Sequence, residues 1–358
     1  MTLRFLTAGE SHGKSLNAII EGVPAGFEID LDFINQELAN RQKGYGRGGR
    51  MSIETDRVEI LSGVRFGKTI GSPIAIQINN KDWENWKIPM STDDVDRVQN
   101  AEILAKKEIT IPRPGHTDWA GCIKYSTNDI RDILERSSAR ETATRVVVGA
   151  IAQNILKKFD ITGEFEILSV GGEENKEKFN EKIDIAKEKG TTLGGIIKVI
   201  FKNVPIGLGS HVHWDRRIDG KIAQAMMSIP AIKSVEIGLG KECANLEGHL
   251  VHDEFIVNGE DVSRKTNNAG GIEGGITNGE DIIVTIAMKP IPTMKTPLKS
   301  FDIKNKKEQD AHFERSDTSA VEACGCVALN MLAIVVLDAF LERFGSDSYT
   351  QIRENYGR

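Results

Sequence analysis

The chain has 358 residues, enough for one large domain or two, and its 39% apolar fraction can build a sizeable core. Its formal net charge of −6 argues against a general binder of nucleic acid or acidic membranes. Four cysteines, at 122, 243, 324 and 326, are too few and too irregular for a disulfide framework, and MTLRFLTAGESHGKS at the amino terminus lacks a basic-then-apolar leader layout, so a reducing cytoplasm is the expected location.

In chain order, short β-like runs come first, at Ala18–Ile20, Val58–Leu61 and Ile74–Ile78. Between them NRQKGYGRGGR, residues 40–50, reads as a mobile basic loop. RSSARETATRVVVGA, from Arg136 to Ala150, turns from polar to almost wholly apolar. Ser138 and Glu141 have capping-box spacing, which predicts a helix starting near Ser138 and running over 141–158. A helix apolar on every side is a buried one, and arginines at its start (Arg136, Arg140, Arg145) call for something negative to meet them.

The charged stretch 173–190 reads as a solvent-facing helix or an insertion, and 299–310 as an exposed connector. Further helices are expected at 219–228 and 319–343, both rich in small and apolar residues and therefore interior. The longest apolar run, Ala323 to Leu337, is interrupted by Asn330 and bracketed by Glu322 and Asp338, so it reads as a core helix rather than a membrane span. Strands at Ile196–Phe201, Val235–Ile237 and Ile282–Ala287 can cover such helices. No linker marks a boundary, so a single domain over 1–358 is expected.

The distinctive segments embed Arg, His or Asp among small residues: GESHG (9–13), KGYGRGGR (43–50), RPGH (113–116), RSSARE (136–141), NNAGGIEGG (267–275), KPIPT (289–293) and ERSD (314–317). Glycine lets backbone N–H groups approach a ligand, and arginine offers a fork matched to carboxylate or phosphate. Together they point to a small, multiply anionic ligand. Two other readings compete. GRGGR has the style of an RNA-binding tail, and His211 and His213, alternating in SHVHW, could join His12 in a metal-dependent hydrolase. A single RGG-like copy in an acidic chain and the lack of supporting Cys, Asp or Glu weaken both, so no metal and no nucleic acid are expected. Neither a dinucleotide-binding G-x-G-x-x-G after a strand nor a P-loop occurs.

These segments, in this order and over the chain's whole length, resemble the chorismate synthase family; GESHG, RSSARE and NNAGGIEGGITNG carry the resemblance. It implies an α+β fold with interior helices sandwiched between antiparallel β-sheets. The implied activity is anti-1,4-elimination of phosphate from 5-enolpyruvylshikimate 3-phosphate to give chorismate, in aromatic amino acid biosynthesis, with reduced FMN needed but no net redox change. A homotetramer is implied too. By position in the motifs, Arg41, Arg47, Arg113, Arg140 and Arg315 are implied substrate contacts, Arg41 and Arg47 also fitting a nicotinamide-nucleotide site with NADPH as reductant. Implied FMN contacts are Arg136, Ser137, Ser138, Pro230, Ala231, Gly274, Lys289, Pro290, Ile291, Pro292, Thr293 and Arg315.

His12 would stabilise the departing phosphate, His116 would hold a proton against the reduced flavin, and Asp317 would assist proton removal. Two positions depart from the family pattern: Pro230 stands where Asn is common, and Thr318 where Pro often follows the aspartate. No segment looks like a flavin reductase, so reduced flavin is expected from a separate source.

Overall fold

The protein is described by a computed structural model over residues 3–48, 55–314 and 317–357. Two four-stranded antiparallel sheets carry its core. The first is built from β1 (Arg4–Ala8), β2 (Ser15–Glu21), β3 (Val58–Ile60) and β4 (Ile74–Asn79), in the order β1-β2-β4-β3. The second is built from β5 (Thr162–Val170), β6 (Gly195–Lys202), β7 (Ile232–Ile237) and β8 (Ile282–Met288), in the order β5-β6-β8-β7. Alternation fixes their inner faces: Ile74, Ile76 and Ile78 in β4, and Ile282, Val284, Ile286 and Met288 in β8, are buried while the residues between them are not.

Two long helices fill the space between the sheets, and shorter ones flank them. The helices are α1 (Leu31–Gln42), α2 (Asp118–Tyr125), α3 (Arg131–Ser137), α4 (Thr142–Leu156), α5 (Phe179–Glu188), α6 (Ile218–Met227) and α7 (Val321–Phe344). α4 packs on β1 and β2, α7 packs on β5 and β6, and the two helices pack on each other, so the layers run sheet, helix pair, sheet. This is the α+β sandwich with interior helices. α7 is long and apolar enough to cross a membrane, yet its apolar stretch is wholly buried inside the fold.

The helix pair is keyed by small and polar residues. A Cβ on Gly149 of α4 would overlap the backbone oxygen and Cβ of Asn330 in α7, so only glycine permits this close a crossing. Asn330 is wholly buried and fully engaged. Its Nδ2 donates to Glu37 Oε2 and to the Cys326 carbonyl, both at 2.9 Å, and its Oδ1 accepts from Gln153 at 2.8 Å. One amide thereby ties α1, α4 and α7 together, and a buried polar group costs little once it is satisfied.

Four sequence expectations change. The capping box does not form. Ser138 Oγ accepts from Arg140 N at 3.3 Å and caps a 3-10 turn, Ala139–Glu141, and α4 begins only at Thr142. Glu141 instead pairs with Arg145 one turn on, at 3.0 Å. The expected interior helix at 219–228 is α6, which buries only Ile218, Ile222 and Met226 and turns its other side outward; small residues there serve a surface helix. The connector 299–310 forms a hairpin, Lys299–Phe301 with Glu308–Asp310.

The fourth change concerns the basic loop. Through Gly48 it is anchored: Gly46 O accepts from Thr318 N at 2.8 Å, and Tyr45 Oη donates to Asp184 on α5 at 2.8 Å. The charged stretch around α5 is therefore a landing site as well as a solvated face. Gly49 and Arg50 lie outside the described residues.

Candidate active site

A cavity of about 440 Å3 opens where the amino-terminal end of α7 meets the α3–α4 junction, the loop after β1, the loop before β7 and the segment after β8. Its apolar lining includes Ala320, Ala323, Cys324 and Val327 at the start of α7, together with Ile229 and Met288. Small residues on the first turns of α7 leave this room. Burial pushes the Cys324 thiol up to about 12, so it lines the cavity as a neutral packing group.

The polar lining is cationic. Arg41, Arg47, Arg113, Arg140 and Lys289 face two lining carboxylates, Glu314 and Asp317. Such an excess of positive charge in a semi-enclosed site attracts anions.

Arg140 and Arg41 come from the start of the α4 region and the last turn of α1. Asp56, with a side chain only 1% exposed, meets Arg140 Nη1 at 2.5 Å, and Asn80 Oδ1 accepts from Arg140 Nη2 at 2.9 Å. Arg41 donates Nε to Thr142 Oγ1 at 2.9 Å and Nη2 to the Ala139 carbonyl at 2.8 Å. Its Nη1 is 4.0 Å from Asp56 and has no hydrogen-bond partner. Burial, and next the neighbouring charge of Arg140, lower the Arg41 pKa to about 10. A buried guanidinium under that stress, with one nitrogen unsatisfied at a cavity wall, is suited to receive an anion.

The arginines around the start of α4 therefore meet protein groups first. Arg145 meets Glu141 and Ser228. Arg136 does not line the cavity: its guanidinium donates to the Thr7 and Gly9 carbonyls at 3.0 and 3.1 Å and holds the loop after β1.

His12 stands on that loop. Its Nδ1 is 2.9 Å from Glu135 Oε1, its backbone N–H donates to Glu135 Oε2 at 2.8 Å, and its ring stacks on Trp86 at 4.0 Å between centroids. Glu135 also accepts from Arg131, one turn earlier on α3, at 2.9 Å. Burial alone would raise the Glu135 pKa; the bonds from His12 and Arg131 outweigh it and hold the carboxyl below its usual value.

His116 has the same arrangement. Its Nδ1 is 2.5 Å from Asp118 Oδ1. Asp118 begins α2, where the helix dipole favours a negative charge. It accepts from Arg113 Nε at 2.8 Å and Nη2 at 3.0 Å, and Arg113 Nη1 donates on to Thr293 at 3.1 Å. Burial again opposes ionisation, but His116 and Arg113 hold Asp118 well below the usual carboxylate range.

Asp317 accepts from Arg47 Nη1 at 2.9 Å and from the Gly48 N–H at 2.6 Å. Glu314 lies 3.3 Å from Arg131. Burial opposes its ionisation, but His312, Arg131 and Arg113 lower its pKa to about 2. Ser137, Ser138, Pro230, Ala231, Lys289, Ile291, Pro292 and Thr293 also line the cavity. Ala231 takes a left-handed φ of 74°, unusual without glycine, and its carbonyl accepts from Lys289 N at 2.9 Å. Lys289 Nζ donates to the Gly115 carbonyl, and burial, then Lys233, lower its pKa.

Of the anticipated residues, Arg136, Pro290 and Gly274 do not line the cavity, Gly274 sitting at the exposed turn of the hairpin joining Ile272–Glu273 to Ile276–Thr277. Arg315 lies outside the described residues. His211 and His213 are exposed and apart from the cavity, so they do not join His12. Among the described residues no cluster of His, Cys, Asp and Glu has metal-holding geometry. Sequence reading missed Asp56, Asn80, Trp86, Asp118, Arg131 and Glu135. Only Asp118, two residues after the histidine of RPGH, and Glu135, directly before RSSARE, left a local trace.

Comparison with known proteins follows the same outline. The family model described as chorismate synthase matches residues 3–341. The chorismate synthase of Thermoanaerobacter pseudethanolicus is 54% identical over 355 residues, covering 99% of this chain and 97% of the relative. That of Aquifex aeolicus is 50% identical over 389 residues, covering 99% and 96%. A crystal structure titled as chorismate synthase superposes with a TM-score of 0.77 at 42% identity, covering 100% of this chain and 97% of the other.

Proposed function

The chain belongs to the chorismate synthase family and is a lyase of aromatic amino acid biosynthesis, and from that premise we propose that it eliminates phosphate from 5-enolpyruvylshikimate 3-phosphate, with reduced FMN as cofactor. The observation that carries the reading is the buried, unpartnered Arg41 Nη1 among five cationic side chains around one cavity. A substrate with one phosphate and two carboxylates supplies anions to balance the excess of cations in this lining.

The residues present also fit a flavin. A cavity of about 440 Å3 is within the usual range for a small-ligand site, its lining combines apolar and hydroxyl side chains, and Lys289 adds a cation for the cofactor's phosphate. Ser137, Ser138, Pro230, Ala231 and Lys289 to Thr293 would hold it; Pro230 can offer only its carbonyl. The chemistry reduced FMN supplies there is transient electron density for an elimination whose anti geometry is poor for a concerted path.

The chain's own residues do the rest. Arg41, Arg47, Arg113 and Arg140 hold and orient the anions and neutralise charge as phosphate leaves. His12, with Nδ1 on Glu135, has Nε2 left to take up a proton and pass it to the leaving phosphate; His116, with Nδ1 on Asp118, likewise has Nε2 left to take up a proton. Asp317, once it exchanges Arg47 for substrate, assists removal of the substrate proton. NADPH as ultimate reductant, a separate flavin reductase, a homotetramer and a cytoplasmic location complete the proposal.

The test is anaerobic turnover with chemically reduced FMN, following chorismate absorbance and phosphate release together. Equal yields that require reduced FMN are expected. Absence of product with reduced FMN and substrate both saturating overturns the reading. A perturbed spectrum of oxidised FMN that appears only with substrate gives an independent check.

A further inference from the structure

Behind the cavity, two buried carboxylates stand in matching positions. Asp118 and Glu135 do not line it, and each side chain is 1% exposed. Each touches the Nδ1 of a lining histidine: Asp118 meets His116 at 2.5 Å, and Glu135 meets His12 at 2.9 Å. Each is also held by an arginine, Asp118 by Arg113 at 2.8 and 3.0 Å and Glu135 by Arg131 at 2.9 Å.

We propose that Asp118 and Glu135 are positioning residues that fix both imidazoles in one tautomer, with the proton on Nδ1 and the Nε2 lone pair kept for the cavity. The arginine behind each carboxylate keeps it an acceptor, so it orders the ring without taking the proton itself. The Arg113 Nη2 contact with His116 Nδ1, at 3.1 Å, is then a close approach between donors, because the shorter Asp118 contact decides where the proton sits.

An ion pair serving stability alone would need neither histidine. Asp118 could satisfy Arg113 with both oxygens, yet Oδ1 is shared between Arg113 and His116. Glu135 takes both the backbone N–H and the ring of His12, fixing the residue at two points. Trp86 stacked on the ring removes a further freedom. Burial opposes ionisation of both carboxylates, and both are nonetheless held on the ionised side, as this role requires.

The amide variants test the idea because every contact on these carboxylates comes from a donor. In Asp118→Asn the oxygen is best kept on the Arg113 side, where it accepts from Arg113 N at 3.0 Å and from Nε. The NH2 group then faces His116 Nδ1 and forces the ring proton to Nε2, at the cost of the Arg113 Nη2 bond to the same position. Glu135→Gln makes a weaker form of the same change, because His12 Nδ1 lies 2.9 Å from Oε1 and 3.0 Å from Oε2 and so meets both the new NH2 group and the remaining oxygen.

The inference rests on the proposed elimination only for the reaction that it serves, so the first measurement omits substrate and flavin. With Cys243 blocked beforehand, the wild-type protein is alkylated with iodoacetate at mildly acidic pH, and the two carboxymethylhistidine isomers are separated for the peptides carrying His12 and His116. Modification at Nε2 is expected at both; adducts at Nδ1 overturn the proposal without any variant. Asp118→Asn should slow alkylation of His116 by roughly tenfold and leave His12 unchanged, and Glu135→Gln should slow His12 by a smaller factor and leave His116 unchanged, since only an unprotonated ring nitrogen attacks. Unchanged rates, or equal effects of either variant on both histidines, overturn it.

The second measurement is turnover. Asp118→Asn should lower kcat by at least about 100-fold, and Glu135→Gln by a smaller factor, while KM and FMN affinity stay within about twofold, the pattern of lost proton transfer without lost binding. Adding Asp118→Asn to His116→Ala should cost nothing further, whereas independent, multiplying losses overturn the proposal. Should the wild type show no elimination, the proposed function fails, and the alkylation pattern still decides this inference.

Discussion

Arg47 and Asp317 are bound to each other, Nη1 to Oδ2 at 2.9 Å. The residue proposed to hold a substrate anion thus occupies the carboxylate proposed to assist deprotonation. The Gly48 N–H reinforces the pair, donating to the same carboxylate at 2.6 Å. A phosphate competes well for the guanidinium, because it offers more charge and a matching geometry. Substrate arrival and release of Asp317 are then one event.

Arg47→Ala should lower kcat/KM by about 1.5–3 kcal/mol, the worth of a charge-assisted hydrogen bond, and Arg47→Lys should recover only part of it. Steady-state kinetics decide the matter. A value within twofold of wild type for Arg47→Ala would remove Arg47 from the substrate site.

Asp56 is the buried counterion between Arg140 and Arg41. Asp56→Ala should cost about 3–5 kcal/mol in urea unfolding, since it leaves an uncompensated buried charge. Inorganic phosphate should raise the melting temperature of the variant more than that of the wild type. Equal shifts would mean that the arginines do not receive an anion there.

Acid should unfold the protein through its paired carboxylates. Asp118, Glu135 and Glu314 all have folded-state pKa values below their ordinary ones. Each therefore stabilises the fold fully above its ordinary pKa, and the stabilisation is lost as pH falls through the folded value. For Glu314 the window runs from 4.5 down to about 2. Melting temperature should fall across that window, and Glu314→Gln should fall less steeply. Parallel curves for the two proteins would refute the assignment.

Gly149→Ala sets two effects against each other. Alanine favours a helix interior by about 1 kcal/mol over glycine, but a Cβ here overlaps Asn330 at the α4–α7 crossing. Overpacking typically costs about 1–3 kcal/mol, and the overlapped atoms are mostly backbone, which yields poorly, so the net change should be destabilising. Urea denaturation measures it, and a stabilised variant would mean that the two helices can part without cost.

Periodic and compositional signals were legible in the sequence because they are local. The alternation of β4 and β8 and the all-round apolar α4 and α7 follow from residues within a few positions of one another. The anion-binding character of the site was legible from arginines set among small residues. What could not be read was which acid meets which base. Asp56 reaches Arg140 across 84 positions, and His12 reaches Glu135 across 123, pairings that only the folded chain defines. Glu141 misled for the same reason: its spacing from Ser138 suits a cap, but Arg145 offers it a charge-assisted partner. The small residues of α6 suggested burial, though they line a helix with one face open to solvent.

The place of α7 in the chain bears on how the protein is made. The helix on which α1, α4, β5 and β6 all pack lies at residues 321–344, so a growing chain emerges from the ribosome without it. Until it arrives, the faces it will cover stay uncovered, and the Leu3 N–H lacks Asp338, its acceptor 335 positions away at 2.9 Å. Native closure is therefore a late step of high contact order, with the second sheet and the far sides of α1 and α4 exposed to wrong partners in the interval. Ending synthesis before residue 321 should yield aggregates rather than a smaller folded unit, and demand for chaperones should concentrate in that last stretch of translation.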